Sequence, residues 1–539
     1  MTDPASDPAP DRAPDRAPDR APDPATDAET ARPWWPPALA GVVALGLGLA
    51  VAEVVAGALG RAETPVVAVG EVFIDHTPGW LKDFAIQTFG THDKTALLVG
   101  MGVVLVVLGA LIGLLTARSK GLGLLAATVV LVVAGLAVNA RPDTTMADLI
   151  PTLAGGLVAL PTLSWLVGKA APPAPAGPVL PARPAPTRRS FLTVAGITAG
   201  LAVVGAGLGQ VLGARRAGVE TSRDDLAASL DLPQATPPRG VDLSVSGEDP
   251  WRTPNQHFYR IDTALSEPLV RAEDWTLRVH GMVETEVELD YGELVAMGLE
   301  NRWLTLNCVS NEVGGHLIGN ALWTGVPIAD VLALAKPRAD ADAVRSRSQD
   351  GWTAGTPLDV LTDGRDALLA VGMNGDPLPL AHGFPVRMIV PGLYGYVSAT
   401  KWVVELEVTR FDDFEAYWTT RGWAEKGPVK VASRIDVPKG HAHVDAGTVA
   451  VAGVAWAQHR GIQGVEVRVD DGDWNAARLA AVPSADTWRQ WVWEWDAQPG
   501  DHRLQVRATT ADGEVQTSEQ APPVPDGASG WHTIDVTVG

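Results

Sequence analysis

The most distinctive chemical group in this sequence is a single thiol. Cys308 is the only cysteine of the chain and lies in the stretch LTLNCVSNEVGG. An apolar, strand-like run precedes it and a polar, glycine-rich loop follows it, and ligand and catalytic residues concentrate at such places. Outside the cell a lone accessible thiol oxidises, so Cys308 should be buried or bound to a metal. The alternative to a ligand is a buried cysteine that packs as a small hydrophobic residue.

The first 215 of the 539 residues contain several apolar runs that could span a membrane and so place Cys308 outside the cell. A tail at 1–37 repeats APDR and is rich in Pro and Asp, which predicts disorder. Each of five apolar runs then has about the 20 residues that a helix needs to cross a bilayer. They lie near 38–60, 97–116, 121–139, 146–168 and 191–213. The sequence therefore predicts a four-span membrane domain at 38–170 and a fifth transmembrane helix at 191–213.

The short loops between the runs indicate an orientation. Basic residues cluster between spans two and three and between spans four and five, whereas the 61–93 loop is mainly acidic. Basic loops stay in the cytoplasm, so the N-terminus is predicted inside and the chain after about residue 214 outside. We expect a multi-pass protein of the cell membrane, in contact with the lipid bilayer.

TRRSFL (187–192) lies where the 171–190 linker meets the fifth span, with Arg188 and Arg189 before a Gly- and Ala-rich run. This resembles a twin-arginine export signal placed internally. The same two arginines would also serve as an ordinary cytoplasmic anchor of the fifth span.

Two further domains follow a polar, Pro-containing tether at 214–240. Strand-like patterns are mixed with helical spacing at YGELVAMG and IADVLALA within 241–425, which predicts an α+β domain. From 428 to 539 apolar and polar residues alternate in four long segments broken by DG turns, namely TVAVAGVAWA, GVEVRVDDGDWNAARLA, WRQWVWEWDA and HRLQVRATTADGEVQ. This pattern predicts a small β-sandwich of the immunoglobulin type without a disulfide. The predicted fold class is therefore multi-domain: a helical membrane bundle, an α+β domain and an immunoglobulin-like sandwich.

Three motifs in consistent order resemble the sulfite oxidase family of molybdopterin enzymes. The cysteine segment LTLNCVSNEVGGHLIGNALWTGVPIADVL is similar to that of the family. MNGDPLPLAHGFPVRMIVPGLYGYVSATKW is similar to its NG-x-PLP-x-x-HG-x-PVR signature, and TPNQHFYRIDT resembles an earlier segment. The resemblance runs from about residue 240 to 539. It includes the C-terminal domain, which resembles the family's dimerisation domain, so a homodimer can form through it.

The resemblance implies that Cys308 is the catalytic protein thiolate on molybdenum, a bond that a soft thiolate favours. It also implies residues that bind the phosphate-bearing molybdopterin. Arg387 offers a bidentate fork and Lys401 a point charge. The full set of implied cofactor contacts is Asn255, Phe258, Tyr259, Ser348, Asp350, His382, Arg387, Ser398, Thr400 and Lys401.

The substrate does not follow from the resemblance. The family surrounds its sulfite anion with arginines and a tyrosine, but this chain has Val313 and Val371 at two of the matching positions. A sulfite-type pocket is therefore not expected. The loop after Cys308 offers three pocket candidates instead, namely Asn311, Glu312 and His316.

These inferences predict an exported, membrane-anchored molybdenum oxidoreductase that carries out two-electron oxygen-atom transfer on a small molecule. One alternative is a reductase of S-oxides, N-oxides or methionine sulfoxide on the same cofactor. Another is a non-enzymatic extracellular binding protein or scaffold with a degenerate domain. Electrons should leave through a separate partner, because the chain offers no haem ligands in its spans and no cysteines for an iron–sulfur cluster. No nucleic-acid partner is expected.

Overall fold

The computed structural model describes residues 34–59, 64–77, 93–140, 146–170, 216–264 and 267–539. Most of the predicted N-terminal tail, the TRRSFL stretch with the rest of its linker, and the predicted fifth span at 191–213 lie outside these residues.

Four of the described helices are long and apolar enough to cross a membrane. They coincide with the first four predicted spans. The 61–93 loop differs from the prediction, because it contains a further helix of 12 residues. At 1.5 Å per residue this helix measures about 18 Å, too short for a hydrocarbon core of about 30 Å. In chain order the N-terminal helices are α1 (Trp35–Ala58), α2 (Pro65–His76), α3 (Asp93–Arg118), α4 (Lys120–Asn139) and α5 (Ile150–Ala170).

Small residues allow α1 to pack closely against α3 and α5. A Cβ atom added to Gly41 would lie 2.0 Å from the carbonyl oxygen of Gly109, and one added to Gly155 would lie 2.5 Å from that of Gly48. Close backbone approach at such positions is the usual basis of helix packing in membranes. The outward faces of α3 and α4 remain apolar and exposed, as at Val99, Val103, Val104, Leu111, Leu125 and Leu136.

We expect Gly41→Ala to destabilise the helical bundle by about 1–3 kcal/mol, because the new methyl group meets backbone that cannot move away. Gly46→Ala on the same helix is the matched control, since nothing lies within 4 Å of its added Cβ. Thermal unfolding of the full chain in detergent measures both variants. Equal melting temperatures for the two would contradict the packing argument.

The α+β unit contains ten strands among its described residues: β1 (Thr276–Gly281), β2 (Val287–Asp290), β3 (Glu300–Asn307), β4 (Ile318–Pro327), β5 (Ala343–Ser348), β6 (Thr353–Pro357), β7 (Leu368–Met373), β8 (Asp376–Pro377), β9 (Arg387–Ile389) and β10 (Val403–Thr409). They form two sheets, with strand orders β2-β1-β10-β5-β6 and β3-β4-β7-β8, and β9 pairs with β7. The β1–β10 pair is parallel and the other pairs are antiparallel.

The helices of this unit cover its sheets. The capping box of Asp290 and Glu293, in which each side chain accepts from the other's backbone N–H, starts the first helix after β2. Two of the helices, at YGELVAMG and IADVLALA, were predicted from their apolar spacing and are confirmed. The described helices are α6 (216–229), α7 (Tyr291–Ala296), α8 (Ile328–Ala335), α9 (Leu358–Thr362) and α10 (Gly395–Ser398).

The C-terminal unit consists of two facing sheets around a core that includes Val451, Trp491 and Leu504. Their strand orders are β11-β13-β17-β16 and β12-β19-β18-β14-β15. The four long segments predicted to alternate in this region all contain strands. The strands are β11 (Ala432–Val437), β12 (His443–Val444), β13 (Gly447–Trp456), β14 (Ile462–Val469), β15 (Asn475–Ala476), β16 (Arg478–Leu479), β17 (Arg489–Ala497), β18 (Gly500–Thr510) and β19 (His532–Val538).

Candidate active site

Cys308 is the first residue after β3, at the strand-to-loop position that the sequence predicts. The ten residues 308–317 join β3 to its antiparallel neighbour β4, and we call them the cysteine loop. The Cys308 N–H donates to the carbonyl of Leu317 at 2.9 Å, which closes the loop at its base. The side chain is 8% exposed. Burial raises the pKa of the thiol, while Ser310 and Lys401 act in the opposite direction.

A pocket of about 830 Å³, counting space open to solvent, lies next to the cysteine. Residues from β3, β5, the α10 region and the 411–427 segment contribute to its walls. Seven of the residues predicted from the sequence line it: Phe258, Tyr259, Cys308, Ser348, Asp350, Arg387 and Lys401.

Arg387 supplies a buried positive charge to this pocket. Its side chain donates to the carbonyls of His382 at 3.1 Å and Ala399 at 3.3 Å, and its guanidinium lies 5.3 Å from the ring centre of Trp323. No carboxylate among the described residues forms an ion pair with it. Burial lowers the pKa of Arg387 to about 10. A buried cation without a counter-charge is costly, and an anionic ligand would offset that cost.

Lys401 lies beside Arg387 but has a partner. Its Nζ donates to Asp262 at 2.8 Å and to the Ala381 carbonyl at 3.1 Å. Asp262 also pairs with Arg260 at 3.1 Å, so one carboxylate serves two cations. Burial lowers the pKa of Lys401 to about 8, with a smaller contribution from Arg387, while Asp262 raises it.

His382 and Asn255 lie behind the pocket wall, and neither lines the pocket. The Nε2–H of His382 donates to the Asn255 carbonyl at 3.1 Å, while the His382 carbonyl accepts from Arg387. Burial, with Lys401 and Arg387 nearby, lowers the pKa of His382 to about 3, so the ring is neutral at physiological pH. The geometry gives His382 a supporting position behind the guanidinium of Arg387.

Two buried polar groups at the pocket have no hydrogen-bond partner among the residues that the structure describes. They are the hydroxyl of Ser348, a residue 2% exposed, and the indole N–H of Trp402. Buried polar groups are normally hydrogen-bonded, so such groups in a pocket point to a missing ligand. Trp402 also has a φ of +49°, which is rare for a bulky residue and occurs mostly at functional sites.

Tryptophans form a wall of the pocket that the sequence motifs do not predict. Trp352, Trp402, Trp418 and Trp423 all line it. The chain has 19 tryptophans, and their spacing gives no sign of which ones converge. Only Trp402 lay inside a recognised motif. A flat aromatic wall suits a planar ring system that stacks.

Ser398 and Thr400 are buried beside the pocket, but their hydroxyls turn away from it. Ser398 donates to the Leu393 carbonyl at 3.1 Å and to the Tyr394 carbonyl at 3.0 Å. The Thr400 hydroxyl bonds to that of Ser346 at 2.7 Å. Both hydroxyls already have partners inside the protein, and neither residue lines the pocket.

The three substrate-pocket candidates also lie elsewhere. The Asn311 side-chain oxygen accepts from the Leu317 N–H at 2.8 Å, which holds the cysteine loop closed. Asn311 and Glu312 line a separate cavity against the C-terminal unit. His316 has a side chain 70% exposed and lies 3.9 Å from Asp249. The loop turns these side chains away from the pocket of Cys308, and their place along the sequence does not reveal this.

Comparison with known proteins identifies the fold that builds this pocket. Residues 264–418 match the oxidoreductase molybdopterin binding domain family. The uncharacterized oxidoreductase YuiH of Bacillus subtilis is 31% identical over 153 residues, which are 28% of this chain and 74% of YuiH. Mitochondrial sulfite oxidase of Mus musculus is 30% identical over 295 residues, 46% of this chain and 53% of that enzyme. Sulfite oxidase of Gallus gallus is 27% identical over 338 residues, 51% of this chain and 73% of that enzyme.

The chain belongs to the sulfite oxidase family. It is a molybdopterin-dependent oxidoreductase, and its cofactor is molybdenum on molybdopterin. The family resemblance of the three sequence motifs is thereby confirmed. The chain spans about half of the mouse sulfite oxidase and about three quarters of YuiH and of the chicken enzyme.

The pocket residues fit the cofactor of the sulfite oxidase family. A thiolate suits a soft metal, and the buried Arg387 suits an anionic group. The free hydroxyl of Ser348 and the indole N–H of Trp402 supply hydrogen-bonding groups that nothing in the described chain uses.

We expect Lys401 to make the stability of the cofactor-free chain depend on pH. Its pKa is about 8 when folded against an ordinary 10.5, so the unfolded chain binds the proton more tightly. Stability contributed by this group therefore rises as pH increases from about 8 to 10.5. Thermal unfolding in detergent should show the wild type gaining stability over Lys401→Met across that window. A difference between the two that stays constant with pH would contradict the expectation.

Proposed function

We propose that the protein is a membrane-anchored, exported molybdenum oxidoreductase that catalyses two-electron, oxygen-atom-transfer chemistry on a small substrate. The observation that carries this proposal is the convergence of three groups on one pocket. They are the thiol of Cys308, the unpaired guanidinium of Arg387 and the partnerless hydroxyl of Ser348.

Each group has a role in this proposal. Cys308 holds the metal through its sulfur, while Arg387 and Lys401 neutralise the anionic part of the pterin. The Ser348 hydroxyl forms a hydrogen bond with the cofactor. The tryptophan wall packs against the pterin ring system and excludes water. When bound, the cofactor supplies the two-electron redox chemistry, and the protein orients it.

Anchoring and export rest on the N-terminal region. The four apolar helices with lipid-compatible outer faces support a multi-pass membrane protein. The basic loops and TRRSFL support a cytoplasmic N-terminus, twin-arginine export and an oxidoreductase domain outside. Lysine replacement of both Arg188 and Arg189 tests this. Unchanged protease accessibility of the domain in intact spheroplasts would count against the twin-arginine route.

A separate electron-transfer partner is part of the proposal. The single cysteine of the chain cannot form an iron–sulfur cluster, and the described residues contain no cluster of three metal-binding side chains. Dimerisation through the C-terminal unit, and the immunoglobulin-like character of that unit, likewise remain proposals.

The reduction of S-oxides or N-oxides is a second candidate function. The cysteine loop contributes no arginine or lysine that could bind an anion such as sulfite. An uncharged oxide is better suited to such surroundings. No observation favours the non-enzymatic alternative, since the family consists of oxidoreductases.

Metal and pterin analysis of the purified full chain, made in a molybdopterin-producing host, tests the proposal. We expect about one molybdenum and one molybdopterin per chain. Turnover of sulfite with ferricyanide, beside dimethyl sulfoxide and trimethylamine N-oxide with reduced viologen, separates the two reactions. A chain without molybdenum, or one inactive with oxygen-atom donors and acceptors of every class, would refute the proposal.

A further inference from the structure

The cysteine loop is held from outside by the C-terminal unit. We infer that this unit positions Cys308, with Arg434 and His532 as its positioning residues. The inference rests on the proposed role of Cys308 as the metal ligand. It gives the C-terminal unit a part in the active site in addition to any role in dimerisation.

Arg434, on β11, connects the loop to two carboxylates. Its Nη1 donates to the carbonyl of Gly315 at 2.9 Å, its Nη2 to Asp249 at 2.6 Å and its Nε to Asp436 at 2.6 Å. Its side chain is 1% exposed. A planar guanidinium with partners on three sides has little freedom, so it fixes the position of the Gly315 carbonyl.

His532, on β19, sets the position of the loop at Gly314, the residue before Gly315. A Cβ atom added to Gly314 would lie 2.3 Å from the imidazole ring, and Gly314 has a φ of +78°. The ring is itself fixed, because its Nδ1 accepts from the Ile435 N–H at 2.9 Å. The loop therefore passes His532 at a distance that only glycine allows.

The strand on the other side of Cys308 is held by the same unit. The Thr305 N–H donates to the Asp486 carbonyl at 2.9 Å, and the Thr305 hydroxyl accepts from the Trp488 N–H at 2.7 Å. The Gln458 side chain donates to the Thr305 carbonyl at 3.1 Å. Contacts with the C-terminal unit thus lie three residues before the cysteine and six and seven residues after it.

Internal hydrogen bonds alone do not orient this loop. Those at Leu317 join the two ends of the loop, and they would be kept if the loop moved as a body relative to the pocket. The contacts of Gly314 and Gly315 with the C-terminal unit restrain that movement. They therefore determine where the sulfur of Cys308 lies relative to Arg387 across the pocket.

Thiol labelling of the full chain, produced in a host that makes no molybdopterin, tests this directly. Cys308 is the only thiol, so the rate of reaction with a maleimide reports on this loop alone. We expect Arg434→Gln to raise that rate by about tenfold or more, because opening of the loop is no longer opposed. Arg489→Gln is the matched control. Arg489 donates only to the Ala480 and Ile462 carbonyls within the C-terminal unit, and its replacement should leave the rate within about twofold of wild type.

A second readout uses the chain loaded with cofactor. The molybdenum EPR spectrum should change in Arg434→Gln and stay as in wild type in Arg489→Gln, since of the two side chains only Arg434 contacts the cysteine loop. Equal labelling rates in folded wild type and Arg434→Gln, or equal changes in the two variants, would overturn the inference. A wild type without molybdenum would refute the proposed function but leave the labelling result to stand.

A glycine pair covers the case in which Arg434→Gln does not fold. Gly314→Ala pushes the loop away from His532 and should speed labelling. Gly298→Ala is the control, because Gly298 also has a positive φ, +107°, but nothing within 4 Å of its added Cβ. Adding His532→Ala to Gly314→Ala removes the clash and should restore part of the slow rate. Equal rates for the two glycine variants would contradict a positioning role of the C-terminal unit.

Discussion

We expect Cys308→Ala to lower turnover by at least about 100-fold, because removal of a residue that only supports a metal ligand already costs up to about 100-fold. Alanine offers the metal no ligand, whereas the thiolate is a soft donor that the metal keeps deprotonated. Pterin content should persist, because Arg387, Lys401 and Ser348 lie on other elements. Activity assays on oxygen-atom donors and acceptors measure the first effect, and pterin fluorescence after extraction measures the second.

X-ray absorption gives a readout that is independent of activity. The molybdenum of Cys308→Ala should have one sulfur neighbour fewer than that of the wild type. Leu304→Val is the matched control, since Leu304 lies on the same strand, is fully buried and does not line the pocket. It should lower stability by roughly 1 kcal/mol and leave the sulfur count unchanged. An unchanged count in Cys308→Ala would contradict the assignment of the ligand.

Arg387→Met should weaken cofactor binding strongly but change the stability of the cofactor-free chain only slightly. Loss of a buried charge that faces an anionic ligand weakens binding by about 2 kcal/mol or more, roughly 30-fold. The free energy of unfolding of the cofactor-free chain should change by no more than about 2 kcal/mol. The cost of leaving two carbonyls without a donor is offset because an uncompensated buried charge is removed. Molybdopterin content after dialysis and thermal unfolding without cofactor measure the two effects.

Arg434→Met provides the contrast. Arg434 is also buried, but it pairs with Asp436 and Asp249, so its loss leaves two carboxylates without their cation. We expect the free energy of unfolding of the cofactor-free chain to fall by about 3–5 kcal/mol. Arg387→Lys should retain part of the binding, since it keeps the charge but not the fork. If Arg387→Met destabilises the cofactor-free chain as much as Arg434→Met does, Arg387 is a structural cation and not a cofactor ligand.

Local patterns predicted much of this fold. Apolar runs of about 20 residues correspond to α1, α3, α4 and α5, and apolar spacing predicted α7 and α8. The short helix α2 is not predicted, because the charges of the 61–93 segment indicate a loop. These successes and the omission share a cause, since periodicity and run length are properties of neighbouring residues.

The same distinction between local pattern and long-range contact applies to the site. Seven of the predicted residues meet in one pocket, whereas His382 and Asn255 support it from behind and the hydroxyls of Ser398 and Thr400 bond to other groups inside the protein. The tryptophan wall and the position of the cysteine loop were not predicted. The contacts that position the cysteine loop join residues far apart, such as Gln458 with Thr305 across 153 positions.

The sequence by itself determined that a lone thiol stands where a strand gives way to a loop, and that its neighbours resemble a molybdopterin-binding oxidoreductase. Only the tertiary structure decided which side chains of that loop face the pocket. It turned Asn311, Glu312 and His316 away and brought Arg434 to Gly315 from 119 residues along the chain. The reason is physical: the direction of a loop depends on the surfaces that pack against it, and here those surfaces belong to a different folding unit.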